Sequence, residues 1–279
     1  MIPMLTARGA QIPAIGFGTS QLGAKQPGDF TDAVATALKL GYRHIDTAWK
    51  YGSEPAVGNG IKKSGVPRKD IFLTTKVSHE YLRAADFARS VEESLSRLQT
   101  DYVDLLLVHW PTIDNIPLEE TMGALAKAKR EGKTRFVGVA NFNIALLDEA
   151  MRLCPEQFSV LQAEYHPYLD QTKLLAHCRK QGLIFMAYCP LARGGLFNDP
   201  VLADIARSKG RTIAQIALRW LIQQEIVAPI PRSSDAKHMA ESLNVFDFTL
   251  TPDEMQRIYA LKRADGRIAN PAGRAPAWD

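Results

Sequence analysis

Two kinds of segment alternate along the chain, and they differ in how apolar and polar side chains are spaced. In the first kind the spacing is that of an amphipathic helix. Between residues 83 and 98, apolar side chains recur at steps of three and four, while Arg89, Glu92 and Arg97 fall on the other side. The same spacing predicts helices at residues 29–40, 53–63, 83–98, 118–130, 143–153, 171–181, 211–223 and 235–244.

The second kind of segment is a short, continuous apolar run, as in residues 103–108 and 183–187. Continuous runs are typical of strands that are covered on both faces, so they predict a parallel sheet with helices around it. Such runs lie near residues 15–19, 43–45, 71–76, 103–108, 134–139, 160–164, 183–188 and 226–230. Eight strand–helix units with short connections favour a closed barrel over an open sheet.

The two ends of the chain fall outside this alternation. Residues 2–13 hold two short apolar stretches around a turn at residues 7–10, which predicts a β-hairpin. The tail from Asp265 is rich in Gly, Pro and Ala, and predicts a C-terminal loop that ends near Trp278. No linker interrupts the chain, so residues 1–279 are predicted to form a single α/β domain: an eight-stranded parallel (β/α)8 TIM barrel with an N-terminal β-hairpin and a C-terminal loop.

Composition narrows the classes of function. The 279 residues are 46% hydrophobic, and their net charge of +4 is scattered, which argues against a nucleic-acid partner. Cys154, Cys178 and Cys189 suit neither a disulfide framework nor a zinc site, which indicates a reducing compartment. No apolar run approaches the roughly 20 residues that span a bilayer, and the N-terminus lacks a secretory pattern. These features predict a cytoplasmic protein without a membrane partner.

Three of the predicted strands end on a polar side chain, namely Asp46, Lys76 and His109, and Tyr51 follows the first of them. Because the strand ends of a barrel share one mouth, we expect these four side chains to meet. An ammonium beside a phenol favours the phenolate and lowers its pKa from about 10. A carboxylate keeps the lysine charged and placed, and an imidazole can donate a hydrogen bond to a substrate oxygen. The set therefore predicts proton donation to a carbonyl, with Tyr51 as the general acid.

Each of these residues also has an ordinary structural explanation when it is taken alone. An aspartate after a strand is usually a cap or turn residue. A tyrosine in a loop usually packs, a lysine is usually solvated, and a histidine usually makes a structural hydrogen bond. The occurrence of all four at successive strand ends is what favours catalysis.

The segments GYRHIDTAWKYGSE, LTTKV and LLLVHWP resemble the aldo-keto reductases, whose catalytic Asp, Tyr, Lys and His follow one another in this order. The resemblance covers the chain from the hairpin to the tail, and is closest to bacterial enzymes of the diketogluconate-reductase type. It implies metal-free, NADPH-dependent reduction of aldehydes and ketones by a monomer, with Tyr51 protonating the carbonyl oxygen. The chain has no GxGxxG turn between a strand and a helix, which argues against an open-sheet dehydrogenase.

The resemblance also implies a set of cofactor contacts. Asn141 and Gln162 would hold the nicotinamide carboxamide, and Tyr188 would stack on the nicotinamide ring. Ala140 stands where the family usually has Ser or Thr, which removes one hydrogen bond. The implied cofactor-binding residues are Thr19, Asp46, Asn141, Gln162, Tyr188, Cys189, Leu191, Arg232, Ser233, Ser234, His238 and Glu241.

The segment IPRSSDAKHMAES predicts a phosphate site after the last strand, because a strand, Ser and Asp, and then a helix direct free backbone N–H groups toward an anion. Arg232, Ser233 and Ser234 would bind a ribose 2′-phosphate. Taken alone, the segment is better explained as a helix cap with a solvated arginine. His238 stands where the family more often has Arg, so we expect NADPH to be preferred but NADH to be excluded less strictly than is usual.

The implied substrate pocket is aromatic and largely neutral, which suits small apolar aldehydes or diketones. Arg193 or Arg274 could reach a carboxylate, although neither is an obvious clamp. Sugar-derived ketones, α-dicarbonyls and aromatic aldehydes all stay open as substrates. The implied substrate contacts are Trp49, His109, Trp110 and Trp278.

Two other classes of function fit parts of the pattern. A cofactor-binding regulatory module on the same barrel would need no Tyr–Lys pair, and consumption of reduced nicotinamide on addition of an aldehyde would exclude it. A phosphate-sugar isomerase or a metal-dependent hydrolase is the other class. Metal hydrolysis needs several His and Asp ligands at strand ends, and the six histidines are not arranged in that way. Loss of activity on addition of a chelator would favour a metal-dependent hydrolase.

Overall fold

The computed structural model describes residues 2–20, 27–111 and 115–279. Within these ranges no helix is long and apolar enough to cross a membrane. The strands are β1 Met4–Ala7, β2 Ala10–Pro13, β3 Phe17–Gly18, β4 His44–Asp46, β5 Phe72–Val77, β6 Val103–Val108, β7 Thr134–Ala140, β8 Phe158–Glu164, β9 Ile184–Tyr188 and β10 Val227–Pro229. The helices are α1 Pro27–Leu40, α2 Glu54–Ser64, α3 Ala84–Leu98, α4 Leu118–Arg130, α5 Ile144–Leu153, α6 Thr172–Gln181, α7 Pro200–Lys209, α8 Ile213–Ile222, α9 Ala236–Leu243 and α10 Pro252–Tyr259.

Strands β3 to β10 form one parallel sheet in which each strand pairs with the next along the chain. Two backbone hydrogen bonds join the outer strands, because the N–H groups of Gly16 and Gly18 donate to the carbonyls of Pro229 and Pro231 at 2.9 Å each. A Cβ on Gly18 would lie 2.9 Å from the carbonyl oxygen of Ile230, so the missing side chain permits this approach. The sheet curls into a barrel, and the predicted (β/α)8 fold is confirmed.

The predicted N-terminal hairpin is also confirmed, and it covers one end of the barrel. Strands β1 and β2 pair antiparallel, with Ala7 opposite Ala10. Both alanines and Ile12 are buried in the same apolar cluster as Phe72, the first residue of β5. The hairpin therefore covers the end where the parallel strands begin. The polar residues that follow the strands lie at the opposite end.

The eight predicted helices are all present, and the structure adds α7 and α10, which the apolar spacing did not predict. Both have clear sequence signals at their first turn. Asp199 precedes Pro200 and accepts hydrogen bonds from the N–H groups of the first turn of α7. Thr251 and Glu254 form a capping box at the start of α10. These capping residues are the sequence signal that would have found the two helices.

His44 is an ionisable side chain enclosed inside the barrel. Its Nε2 lies 3.1 Å from the Thr74 hydroxyl, and its Nδ1 has no partner among the described residues. Burial, with the charge of Lys76, lowers its pKa from 6.5 to about 3. His44 is therefore neutral in the folded protein at any pH near neutrality.

We expect the protein to become less stable as the pH is lowered, partly because of His44. Below about pH 6.5 the unfolded chain protonates this histidine, while the folded protein does not until about pH 3. The free energy of unfolding should therefore decrease as the pH falls through this window, by up to about 1.4 kcal/mol per pH unit. Urea unfolding of the wild type and His44→Gln between about pH 6 and about pH 4 measures the difference, in which other titrating groups cancel. Equal pH dependence of the two proteins would contradict the assignment.

Candidate active site

A buried ion pair forms the base of the candidate site. Asp46 ends β4, and Lys76 projects from β5 so that its Nζ lies 2.6 Å from Asp46 Oδ1. Lys76 also donates to the carbonyl of Thr47 at 2.8 Å, and Gln162 of β8 donates to the other Asp46 oxygen at 2.8 Å. Both charged side chains are almost completely buried. Burial lowers the pKa of Lys76, and the neighbouring Asp46 opposes that change. The pair thus holds a placed cation at the ends of the strands.

Tyr51 and His109 lie over this pair. A 3₁₀ turn, Trp49–Tyr51, carries the tyrosine, and it ends at Gly52, whose φ of 65° suits a residue without a side chain. The Tyr51 hydroxyl is 3.5 Å from His109 Nε2, and Lys76 Nζ is 5.1 Å from the centre of the Tyr51 ring. The structure therefore brings together all four side chains that the strand ends predicted to meet.

The expected lowering of the Tyr51 pKa by Lys76 is wrong for the protein alone. Burial, with the charges of Asp46 and Cys189, raises the pKa of this phenol well above 10. The physical reason is that the phenolate would lose its hydration on burial, and that the negative charge of Asp46, 2.6 Å from the ammonium, opposes the effect of Lys76 on the phenol. Burial likewise lowers the pKa of His109 well below 6.5, and the charge of Lys76 adds to this effect. A neutral phenol therefore faces a neutral imidazole, and Tyr51 keeps a proton to donate.

Two side-chain amides lie beside this cluster. Asn141 follows β7 with a φ of 64°, donates to the carbonyl of His109 at 2.9 Å, and accepts from the Tyr188 hydroxyl at 2.7 Å. Gln162 uses its amide nitrogen on Asp46, and no described residue donates to its carbonyl oxygen. The Gln162 oxygen is thus available to an amide donor on a ligand. Two amide side chains that could hold a carboxamide group therefore lie beside the cluster.

The loop after β9 carries the predicted residues Cys189 and Leu191, and its backbone is strained. Cys189, Ala192 and Arg193 have φ values of 50°, 47° and 52°, which are uncommon for residues with side chains. Such strain is often concentrated at binding sites, where the surrounding structure enforces it. Tyr188, the predicted stacking ring, ends β9 directly before this loop and is half-buried. The loop is therefore placed to contact the part of a ligand that extends beyond the Tyr188 ring.

The predicted phosphate segment is present, but Asp235 occupies two of the N–H groups that were expected to be free. Asp235 caps α9 and accepts from the N–H groups of Lys237 at 2.7 Å and His238 at 3.1 Å. Ser233 is likewise engaged, because its hydroxyl accepts from the N–H of Asp235 at 3.0 Å. The expectation of free N–H groups is therefore wrong for Lys237 and His238, since the aspartate accepts from both. A phosphate here would depend on side chains, above all on Arg232, whose guanidinium lies 5.1 Å from the Phe30 ring.

The other predicted cofactor residues differ in how they are presented. Thr19 is fully buried, and its hydroxyl donates to the carbonyl of Asp46 at 2.9 Å, so it supports the end of β4. Ser234 and His238 are exposed beside Arg232. Glu241 is half-buried, with Lys237 4.0 Å away. Thr19 therefore does not offer its hydroxyl to a ligand, whereas the α9 residues are accessible.

The C-terminal tail brings one predicted tryptophan to the mouth of the barrel. Trp278 packs edge-on against Trp110, with ring centres 6.4 Å apart, and donates to Asn270 at 2.9 Å. Trp49 lies elsewhere, packed on Tyr81 and donating to Glu93 of α3 at 2.9 Å. Trp110 and Trp278 thus form one aromatic wall, and no contact among the described residues places Trp49 in it.

The residues that anchor this tail were missed from the sequence. Glu164, the last residue of β8, accepts from the N–H groups of Ile268 and Ala269 at 2.7 Å each. Arg267 lies 3.7 Å above the Trp278 ring, and the Asp279 carboxylate accepts from the N–H of Ile144 at 3.0 Å. One signal was available, because Glu164 is an acid at the end of an apolar strand, as Asp46 is.

Comparison with known proteins identifies the family of this chain. Residues 14–263 match the model of the aldo/keto reductase family. This chain belongs to the aldo/keto reductase family. As an aldo/keto reductase it is an NAD(P)H-dependent oxidoreductase, and the predicted family is confirmed.

Curated aldo/keto reductases resemble this one over almost their whole length. It is 40% identical to the methylglyoxal reductase DkgB of Escherichia coli O157:H7 over 270 residues, which cover 96% of this chain and 99% of that protein. It is 38% identical to the glyoxal reductase of Bacillus subtilis (strain 168) over 263 residues, which cover 94% of each.

Solved aldo/keto reductase structures match it as well. A crystal structure described as a candidate 2,5-diketo-D-gluconic acid reductase B superposes with a TM-score of 0.96 at 45% identity, covering 100% of this chain and 98% of that one. A Bombyx mori aldo-keto reductase in complex with NADP superposes with a TM-score of 0.89 at 32% identity, covering 94% of this chain and 93% of that one.

Proposed function

We propose that this aldo/keto reductase reduces small aldehydes and ketones to alcohols with NADPH, and that Tyr51 is the general acid. The observation that carries the proposal is the neutral Tyr51 hydroxyl 3.5 Å from a neutral His109, beside the buried Lys76–Asp46 pair. The substrates named for its relatives fall into two groups: neutral α-dicarbonyls for the methylglyoxal and glyoxal reductases, and a sugar acid for the diketogluconate reductase.

In this proposal Asn141, Gln162 and Tyr188 hold the nicotinamide. The two amides bind its carboxamide, since the Gln162 oxygen is available to an N–H donor and Asn141 is fixed by His109 and Tyr188. Tyr188 supplies a half-buried aromatic ring. The reduced nicotinamide would supply a hydride to the carbonyl carbon.

Tyr51 and His109 act on the carbonyl oxygen. The Tyr51 hydroxyl donates its proton to that oxygen as negative charge develops on it. His109 stays neutral and can donate a hydrogen bond from Nε2 to the same oxygen, which orients the carbonyl. Lys76, 5.1 Å from the Tyr51 ring centre, then stabilises the tyrosinate that is left behind.

A panel of carbonyl compounds, each tested with NADPH and with NADH, tests the proposal. We expect methylglyoxal and 2,5-diketogluconate to be among the compounds that the enzyme reduces with NADPH. Tight NADPH binding without turnover of any carbonyl would instead favour a cofactor-binding regulatory module. We further propose that the chain works as a single domain and as a monomer in the cytoplasm, and light scattering of the purified protein tests the monomer.

We expect NADPH to be preferred over NADH by less than about a thousandfold in kcat/KM, which corresponds to roughly 4 kcal/mol. Arg232 supplies a positive charge, but Asp235 carries a negative charge on the same short segment and occupies the helix N–H groups. Asp235→Ser keeps a capping oxygen and removes the charge, so the preference for NADPH should rise. Steady-state titrations with both cofactors measure the ratio. A wild-type preference above a thousandfold, or no change in the variant, would contradict this.

A further inference from the structure

The C-terminal tail carries a second cation to the mouth of the barrel. Arg274 lies between two anchors of the tail, which are the N–H groups of Ile268 and Ala269 on Glu164, and the Asp279 carboxylate on the N–H of Ile144. Its own N–H donates to the carbonyl of Pro271 at 3.2 Å and closes a turn. The backbone at Arg274 is therefore held over the strand ends.

The Arg274 side chain has no partner within the described part of the chain. It is half-buried, yet it makes no hydrogen bond and no ion pair there. Other cations near the mouth are matched, as Lys76 is by Asp46 at 2.6 Å and Lys50 by Glu80 at 2.8 Å. A cation that loses part of its hydration without a partner is unfavourable, and an anionic ligand would compensate for that loss.

The charge of Arg274 acts on the residue that would face the substrate oxygen. His109 has a pKa far below 6.5, chiefly because of burial and then because of Lys76, and Arg274 is among the further charges that lower it. The charge of Arg274 therefore reaches His109. The adjoining wall is formed by Trp110 and Trp278, whose rings are 6.4 Å apart.

The other arginines nearby are less suited to bind a substrate. Arg267 lies 3.7 Å above Trp278, and the nitrogen that lacks a partner is enclosed by protein atoms, so a substrate cannot reach it. Arg193 is exposed on the loop after β9, where it hydrogen bonds to the Cys189 thiol. Burial raises the pKa of that thiol, and Arg193 opposes this change. Arg274 alone among these three combines accessibility, a missing partner among the described residues and a charge that acts on His109.

We propose that Arg274 is a specificity-determining residue that selects carbonyl substrates bearing a carboxylate. The proposal rests on the proposed reductase function and narrows it to the anionic of the two substrate groups. The guanidinium would bind the carboxylate through charge-assisted hydrogen bonds while the carbonyl lies at Tyr51 and His109. A neutral dicarbonyl has no group for this contact.

The test compares two aldehydes that differ in one charge, 4-carboxybenzaldehyde and methyl 4-formylbenzoate. In Arg274→Gln we expect kcat/KM for the acid to fall about tenfold or more, mostly through KM, because a hydrogen bond to a charged group is lost. For the ester we expect a change within about twofold. Arg274→Lys keeps the charge but loses the paired geometry, so it should lie between the wild type and Arg274→Gln. Arg207→Gln, an exposed change on α7, controls for net charge.

The outcomes separate this inference from the proposed function. An equal loss for acid and ester in Arg274→Gln would make Arg274 a structural residue of the tail and overturn the inference, as would no loss for the acid. A wild type that reduces the ester but not the acid would overturn the inference and leave the reductase function standing. A wild type that reduces neither, with cofactor bound, would overturn both. Activity of each variant toward the ester reports that it has folded.

Discussion

Tyr51→Phe should lower kcat on the order of a hundredfold or more and leave NADPH binding unchanged. The substitution removes only the hydroxyl that lies 3.5 Å from His109 Nε2. It leaves the ring and its contact with Lys76 at 5.1 Å in place. The carbonyl oxygen would then lack the proton donor whose conjugate base Lys76 stabilises. Because the Tyr51 pKa is raised well above 10, the wild type should hold this proton throughout the neutral range.

The measurement pairs steady-state turnover with a titration of NADPH by protein fluorescence. Tyr81→Phe is a matched control, because Tyr81 is a half-buried tyrosine of a neighbouring turn that packs on Trp49 at 4.7 Å. We expect that control to keep nearly all of its turnover. Full activity of Tyr51→Phe would mean that another group donates the proton, and weaker NADPH binding would mean that the hydroxyl has a role in binding.

The four residues of the cluster could be predicted from sequence because a barrel imposes a simple rule. The carboxyl ends of parallel strands share one mouth, so a polar residue after each apolar run must lie near the others. Asp46, Lys76 and His109 follow this rule, and a short turn returns Tyr51 to them. The same rule also applies to Glu164, which was overlooked because it binds the tail and has no role in that chemistry.

Whether the Tyr51 pKa is raised or lowered could not be predicted in the same way. The sequence shows that a lysine and a tyrosine meet, but the pKa depends on how much water is lost and on which charge is nearer to the ammonium. In the structure Asp46 is that charge, at 2.6 Å. The N-terminus of α9 shows the same limit of sequence-based prediction. The sequence does not show where the Asp235 side chain points, and in the structure it accepts hydrogen bonds from the N–H groups of Lys237 and His238.

The contacts of the tail join residues that are far apart in the sequence. Arg274 and His109 are far apart in the chain, and no spacing rule joins a Gly- and Pro-rich tail to a strand end. Only the anchors on Glu164 and Ile144 show that the tail returns across the mouth. The distinction between Arg267, Arg274 and Arg193 therefore required the structure.

Lys76→Met should be the most damaging single change to both activity and stability. Turnover should fall on the order of a hundredfold or more, because the tyrosinate formed by proton transfer would lose its neighbouring cation. The free energy of unfolding should fall by about 3–5 kcal/mol, because Asp46 would be left buried without its ion-pair partner. Urea unfolding and steady-state kinetics of the same preparation measure both effects.

Combining Lys76→Met with Asp46→Asn separates the two roles of the lysine. Neither substituted side chain carries a charge, and the amide oxygen that replaces the Asp46 carboxylate can still accept from Gln162, which donates to Asp46 at 2.8 Å in the wild type. Much of the lost stability should therefore return, since replacing a buried ion pair by neutral groups is often close to neutral. Turnover should not return, because no cation faces the Tyr51 ring. Recovery of activity together with stability would mean that Lys76 only holds the fold, and the proposed tuning of the tyrosinate would have to be abandoned.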